Sequence, residues 1–134
     1  MFIHDILYTR LQVVHERSVK LIPTAQLTAS QSRAIENFVD DFEVVNALAD
    51  RNRQKIIVLL CNHLSEGLTV TDMTEEMSIT QPAVSHHLKI LREAGLVAFR
   101  KNGLQSLYYL TLSEPLTQLE DVIHELRIEV GDSK

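Results

Sequence analysis

A mainly α-helical fold carrying one small β-hairpin is predicted by three features of this 134-residue sequence. Apolar residues recur at three- and four-residue spacing through most of the chain. Two helical segments meet across a short turn, Ser78-Ile79-Thr80. After the second, the period changes to that of strands on both sides of Asn102-Gly103, a dipeptide that marks hairpins because both residues accept positive φ.

The elements follow in order. Ile3, Leu7, Leu11 and Val14 share helical spacing, which predicts a helix over 2–20; a flexible arm is the alternative. Residues 18–32, with Pro23 and several Ser, Thr and Gln, read as a linker, so 1–28 is an N-terminal extension and 29–134 the main domain. Ile35, Phe38, Val39, Phe42, Val45, Leu48 and Ala49 predict one helix over 30–49. Asp50 and Asn52 are capping residues, with Asn52 opening a helix from Arg53 to Leu64. Ile56, Ile57, Val58, Leu59, Leu60, Cys61 and Leu64 surround that helix, which places it centrally and buries Cys61.

Thr69 begins a capping box with Asp72 and a short helix to Met77; Leu68 and Met73 are spaced as its hydrophobic staple. Thr80 is the N-cap of the next helix, Pro82 lies in its first turn, and Gly95 closes it at C′. Val84, Leu88 and Leu91, with His87, line one face; Ile79 and Val84 form a second staple. Residues 96–99 and 106–111 form the hairpin. Centring its turn on Asn102-Gly103 puts Arg100 and Lys101 near the tip. The last helix spans 115–128, with a stripe of Leu116, Leu119, Ile123, Leu126 and Val130.

Two helices, a tight turn and a following hairpin constitute a winged helix-turn-helix. The outward face of the second helix carries Gln81, Ser85, His86, Lys89 and Arg92. Gln, Ser and His match base-edge donors and acceptors, and Lys and Arg match phosphate. The formal net charge of −5 is unevenly distributed. Residues 77–111 hold four basic side chains and one acidic one, whereas the acidic excess lies toward both ends. Double-stranded DNA is therefore the expected partner, touched by those five residues and by Arg100 and Lys101 on the wing. A protein-interaction module without DNA binding is the alternative, and the polar face and basic wing argue against it.

Other functions lack their signatures. The sequence has no glycine-rich phosphate loop and no nucleophile elbow, and adjacent Ser85 and His86 point apart on a helix, so no enzyme and no cofactor is expected. The longest apolar run, Ile56 to Cys61, is far short of a membrane span, and the N-terminus has no signal-peptide pattern, so the expected location is cytoplasmic.

Three motifs carry a resemblance. A-L-A-D-R-N-R at 47–53, S-I-T-Q-P-A-V-S-H-H-L-K-I-L-R-E-A-G-L-V at 78–97, and Y-Y-L at 108–110 resemble the ArsR/SmtB family of small winged-helix repressors, with Asn52 standing where the family usually has proline. The resemblance covers about 42–112 and implies a homodimer built on the first and last helices, bound to an imperfect palindrome. It also implies that Gln81, Pro82, Ser85 and His86 approach bases, with Arg100 and Lys101 as wing contacts.

Many relatives sense metals. The positions of one thiolate pair here read Thr69-Val70-Thr71, and a hydroxyl does not replace a thiolate toward a soft ion. The last helix lacks the second family motif; Asp121, His124 and Glu125 lie within one turn but read as solvated side chains. A metal-gated repressor using that helix is the remaining alternative, and the favoured effector is non-metal and unidentified. His4 and His15 read as surface residues.

Overall fold

Side-chain caps at Thr28, Asp50, Thr69 and Thr80 set the starts of four helices. The computed structural model describes residues 27–132, in the order α1 (Ala29–Asp40), α2 (Phe42–Leu48), α3 (Arg51–Cys61), α4 (Val70–Met77), α5 (Gln81–Glu93), β1 (Val97–Asn102), β2 (Gln105–Leu110) and α6 (Ser113–Val130). The expected 2–20 helix, the linker up to residue 26, His4 and His15 lie outside the described residues. The chain divides into two compact units, one of residues 41–121 and one that includes 27–40 and 122–132.

The core of the 41–121 unit gathers Val44 and Ala47 of α2, Ile56 and Leu60 of α3, Met73 of α4, and Val84, Leu88 and Leu91 of α5. Leu68, Ala94, Leu96 and Val97 complete it, with Leu112, Leu116 and Leu119 packed at its side. The hairpin is antiparallel, with Val97 paired to Leu110 and Asn102 to Gln105. Leu68 adds a one-residue bridge: its N–H donates to Tyr108 O at 3.1 Å, and Tyr108 N–H donates to Leu68 O at 2.8 Å. Gly67 permits this approach. It sits at φ +73°, and a Cβ there would lie 2.6 Å from Tyr108 O.

In the other unit, Gln31 Nε2 of α1 donates to Glu129 O at 3.1 Å, and Asn37 Nδ2 donates to Glu125 Oε2 at 3.3 Å. Ala34 and Val122 are buried, whereas Ile123, Ile128 and Val130 are exposed.

Several expectations are corrected. Helix 30–49 is two helices, interrupted at Asp41 (φ −90°, ψ 7°), and Ser30, Gln31 and Ser32 belong to the first. Adjacent Asp40 and Asp41 are weak helix formers, and the break resets the buried phase from the apolar stripe to Val44 and Ala47. The third helix begins two residues early because Asp50, not Asn52, is its N-cap; it ends at Cys61, not Leu64. Only Ile56 and Leu60 of its apolar residues are fully buried. Val58 and Leu64 are exposed and Cys61 is a surface thiol, because the core covers one side of this helix only. The last helix is longer than 115–128, and Val122, not Ile123, is its buried residue in the second half. The hairpin turn is Gly103-Leu104, one residue beyond Asn102-Gly103. Positive φ at Gly103 alone (+65°) fits a type II′ turn, which needs glycine at its first central position.

Candidate nucleic-acid interface

The helix-turn-helix is built by local chemistry. Thr69 and Asp72 cap α4 reciprocally, at 3.1 Å and 3.0 Å. In the turn, Ser78 takes a left-handed conformation (φ 55°). The Thr80 hydroxyl accepts from Ala83 N–H at 3.3 Å and starts α5, with Pro82 in the first turn. The helix ends in a Schellman motif, where Gly95 N–H donates to Arg92 O and Leu96 N–H to Leu91 O, both at 3.0 Å. Leu91 and Leu96 are fully buried, so the end of α5 is pinned to the core.

This framing fixes the rotation of α5. Val84, Leu88 and Leu91 are buried, and Gln81, Pro82, Ser85, His86, Lys89 and Arg92 are exposed together. Gln81, Ser85 and Lys89 are separated by four residues each and form one row, with Arg92 at its end and Pro82 and His86 beside it. Among the described residues, Gln81, Ser85, His86 and Lys89 make no side-chain hydrogen bond and no ion pair.

His87 points the other way, toward the start of α3. Its Nδ1 lies 3.4 Å from Arg53 Nη1 and 3.8 Å from Asp50 Oδ2. Asp50 is the N-cap of α3, accepting from Arg53 N–H at 3.0 Å; that bond, then the Arg53 and His87 charges, hold its carboxyl below the usual range. The Arg53 guanidinium is buried and closes the end of α2, donating through Nε to Ala47 O at 2.8 Å and through Nη2 to Asn46 O at 3.1 Å. Gln54 Nε2 adds a bond to Leu48 O at 2.8 Å. The A-L-A-D-R-N-R motif is thus a splice between two helices, with α5 seated on it through His87.

On the wing, the displaced turn moves Arg100 and Lys101 each one pair further from the tip. Lys101 Nζ is 3.1 Å from Ser106 Oγ and 5.8 Å from the Phe99 ring centroid. Arg100 stacks over Tyr109 at 5.6 Å, and its Nη2 donates to Glu66 O at 3.0 Å and Ser65 O at 3.4 Å. Glu66 itself is held below the usual carboxylate range by the Ser65 hydroxyl and then by His63, at 2.6 Å. Phe99 escaped the sequence reading. Its signal was an aromatic residue directly before two basic ones on a strand.

The residues considered for metal are not gathered. The Thr69 hydroxyl is engaged in its cap and Thr71 is exposed. His124 Nδ1 is 3.4 Å from Arg127 Nη2, Glu125 accepts from Asn37, and Asp121 faces outward. Among the described residues, no group of three or more His, Cys, Asp or Glu side chains is placed to hold an ion, and no helix is long and apolar enough to cross a membrane.

Comparison with known proteins agrees with this geometry. Residues 43–98 match the family model described as bacterial regulatory protein, arsR family. An uncharacterised HTH-type transcriptional regulator of Methanocaldococcus jannaschii is 32% identical over 92 residues, 69% of this chain and 100% of that one. The transcriptional repressor SdpR of Bacillus subtilis is 36% identical over 81 residues, 60% of this chain and 82% of that one. A solved structure of a possible transcriptional regulator for arsenical resistance is similar with a TM-score of 0.53 at 30% identity, over 69% of this chain and 97% of that one.

Proposed function

The chain belongs to the ArsR family of bacterial regulatory proteins, and from that premise we propose that it is a dimeric, sequence-specific DNA-binding repressor whose effector is not a metal. One observation carries the reading: α5 holds Gln81, Ser85, His86 and Lys89 outward with no side-chain hydrogen bond or ion pair among the described residues. A helix of this kind enters the major groove, with Gln81, Pro82, Ser85 and His86 toward base edges and Lys89 and Arg92 toward phosphate. Lys101 is the wing's phosphate contact. Arg100, tied to the 65–66 carbonyls, braces the wing and lends its remaining N–H groups.

The homodimer uses the first and last described helices. Exposed Ile123, Ile128 and Val130 on α6 support this, because apolar side chains in that number on a helix end call for a cover. The twofold axis of such a dimer requires an imperfect palindrome, with half-sites spaced by about one helical turn or a multiple of it. Residues 1–28, by their apolar sequence pattern, are assigned to strengthening the dimer. Their removal is expected to raise the monomer fraction in sedimentation and to weaken DNA binding only through that loss. As a DNA-binding regulator it is assigned to the cytoplasm.

The test is a fluorescence-anisotropy titration with duplexes recovered by selecting genomic fragments on the purified protein, at two salt concentrations. Saturable binding to palindromic fragments is expected, with log affinity falling by several units per log unit of salt. No preference for any fragment, or an affinity indifferent to salt, contradicts the reading and favours a protein-interaction module.

A further inference from the structure

Phe99 belongs neither to the core nor to the side chains selected above for DNA, and it is 37% exposed. On β1 it shares one face with Val97 and Lys101, since alternate residues of a strand point the same way. Its cross-strand partner is Tyr108, whose ring centroid is 5.5 Å away. Two cations come to this one ring. Arg92 Cζ, from the last turn of α5, lies 5.4 Å from the centroid, and Lys101 Nζ lies 5.8 Å from it.

Two positive side chains from different elements repel unless something holds them. Among the described residues, neither Arg92 nor Lys101 makes an ion pair, so no carboxylate does so. The negative face of the ring attracts both, and the Ser106 hydroxyl takes a hydrogen bond from Lys101. Arg100 is the contrasting case. It too stacks on a ring, but its guanidinium donates to two backbone carbonyls.

We propose that Phe99 is a positioning residue that holds Arg92 and Lys101 as one phosphate-binding pair joining α5 to the wing, its ligand the phosphodiester backbone of duplex DNA. This rests on the DNA-binding reading above. A ring in this place limits the rotamer freedom of two flexible cations before the ligand arrives, so less entropy is lost on binding. It also ties the wing to the helix beside it.

Short duplexes of random sequence and of a selected genomic fragment are the probes, titrated by anisotropy. Phe99→Leu keeps an apolar side chain on the sheet and removes the ring. It is expected to weaken binding to both duplexes about threefold to tenfold. Phe99→Tyr, which keeps the ring, is expected to bind as the wild type does. In a background of Arg92→Ala with Lys101→Ala, whose salt slope falls by about two for each bound protomer, Phe99→Leu is expected to add no further loss. Wild-type affinity in Phe99→Leu overturns the inference, and so does an equal loss in both backgrounds, which makes the ring a packing element only. Those outcomes leave the DNA-binding reading standing, because the wild type still binds. A wild-type protein that binds neither duplex removes that reading and the inference with it.

Discussion

The corner between α2 and α3 and the outward surface of α5 with its wing are both rich in polar and charged groups, and they use them in opposite ways. At the corner, Asp50, Arg53 and Gln54 direct their hydrogen bonds to backbone groups at the two helix ends. On the α5 surface, Gln81, Ser85, His86 and Lys89 are exposed and bond to nothing among the described residues. Arg53 and Lys89 are indistinguishable to a count of basic residues. What separates them is whether a helix terminus with unsatisfied carbonyls lies within reach. The wing repeats the contrast at close range, with Arg100 donating to carbonyls of the 65–66 loop and Lys101 kept beside Phe99.

The contrast is broken most forcefully at Arg53. Arg53→Ala leaves the Ala47 carbonyl without its buried side-chain donor, takes one of two donors from Asn46 O, which keeps the Ala49 N–H, and is expected to lower stability by about 1–3 kcal/mol in urea unfolding. DNA affinity per folded molecule should change little. Replacing Ser85 or His86 by Ala should do the reverse. Stability stays within about 0.5 kcal/mol. Discrimination between base pairs at particular operator positions falls by about 1–3 kcal/mol, read by competition titration.

Asp50 sharpens the comparison through pH. Its pKa is lowered in the folded chain, so the stability it contributes is present above the unfolded carboxylate range and is lost as pH falls through the lower folded value. Asp50→Ala is expected to cost about 1 kcal/mol at neutral pH as a lost N-cap. The difference from the wild type should vanish in strongly acidic solution, below the range in which free aspartate titrates. A difference that persists there assigns the effect to packing. The smallest expected effect is none at all: zinc, cadmium or arsenite should leave DNA binding unchanged, since Thr69 and Thr71 offer hydroxyls, which do not replace thiolates toward a soft ion. Release by a metal that disappears with His124→Ala would return the last helix to consideration.

What the sequence made legible follows the same division. Caps are local, so Thr69 with Asp72, Thr80 and Gly95 were readable from neighbours three residues away, and the structure forms each of them. The buried face of α5 was readable from its period. The exposure of Cys61 was not, because it depends on which side of a helix meets the core, and the break at Asp41 was hidden by an apolar stripe that runs past two weak helix formers. The one-residue shift of the hairpin turn has a local cause that two signals contested. Asn-Gly favours a turn centred on itself, whereas the paired strands close best with Gly103 first in the turn. Arg53 and Arg100 were beyond reach for a different reason, since their partners are carbonyls, which every residue offers and no pattern marks. Phe99 became visible only when the fold brought α5 and β1 to the same ring.

The claim that cations in this fold are sorted between structure and ligand is tested most directly by one pair of salt titrations on a single duplex, comparing Lys101→Ala with Arg100→Ala. The two residues are neighbours on β1 and carry the same charge. Lys101→Ala should lower the slope of log affinity against log salt by about one for each bound protomer and weaken all sequences alike. Arg100→Ala should lower that slope by less while reducing thermal stability. Equal slopes in the two variants, or the larger fall in Arg100→Ala, would contradict the sorting.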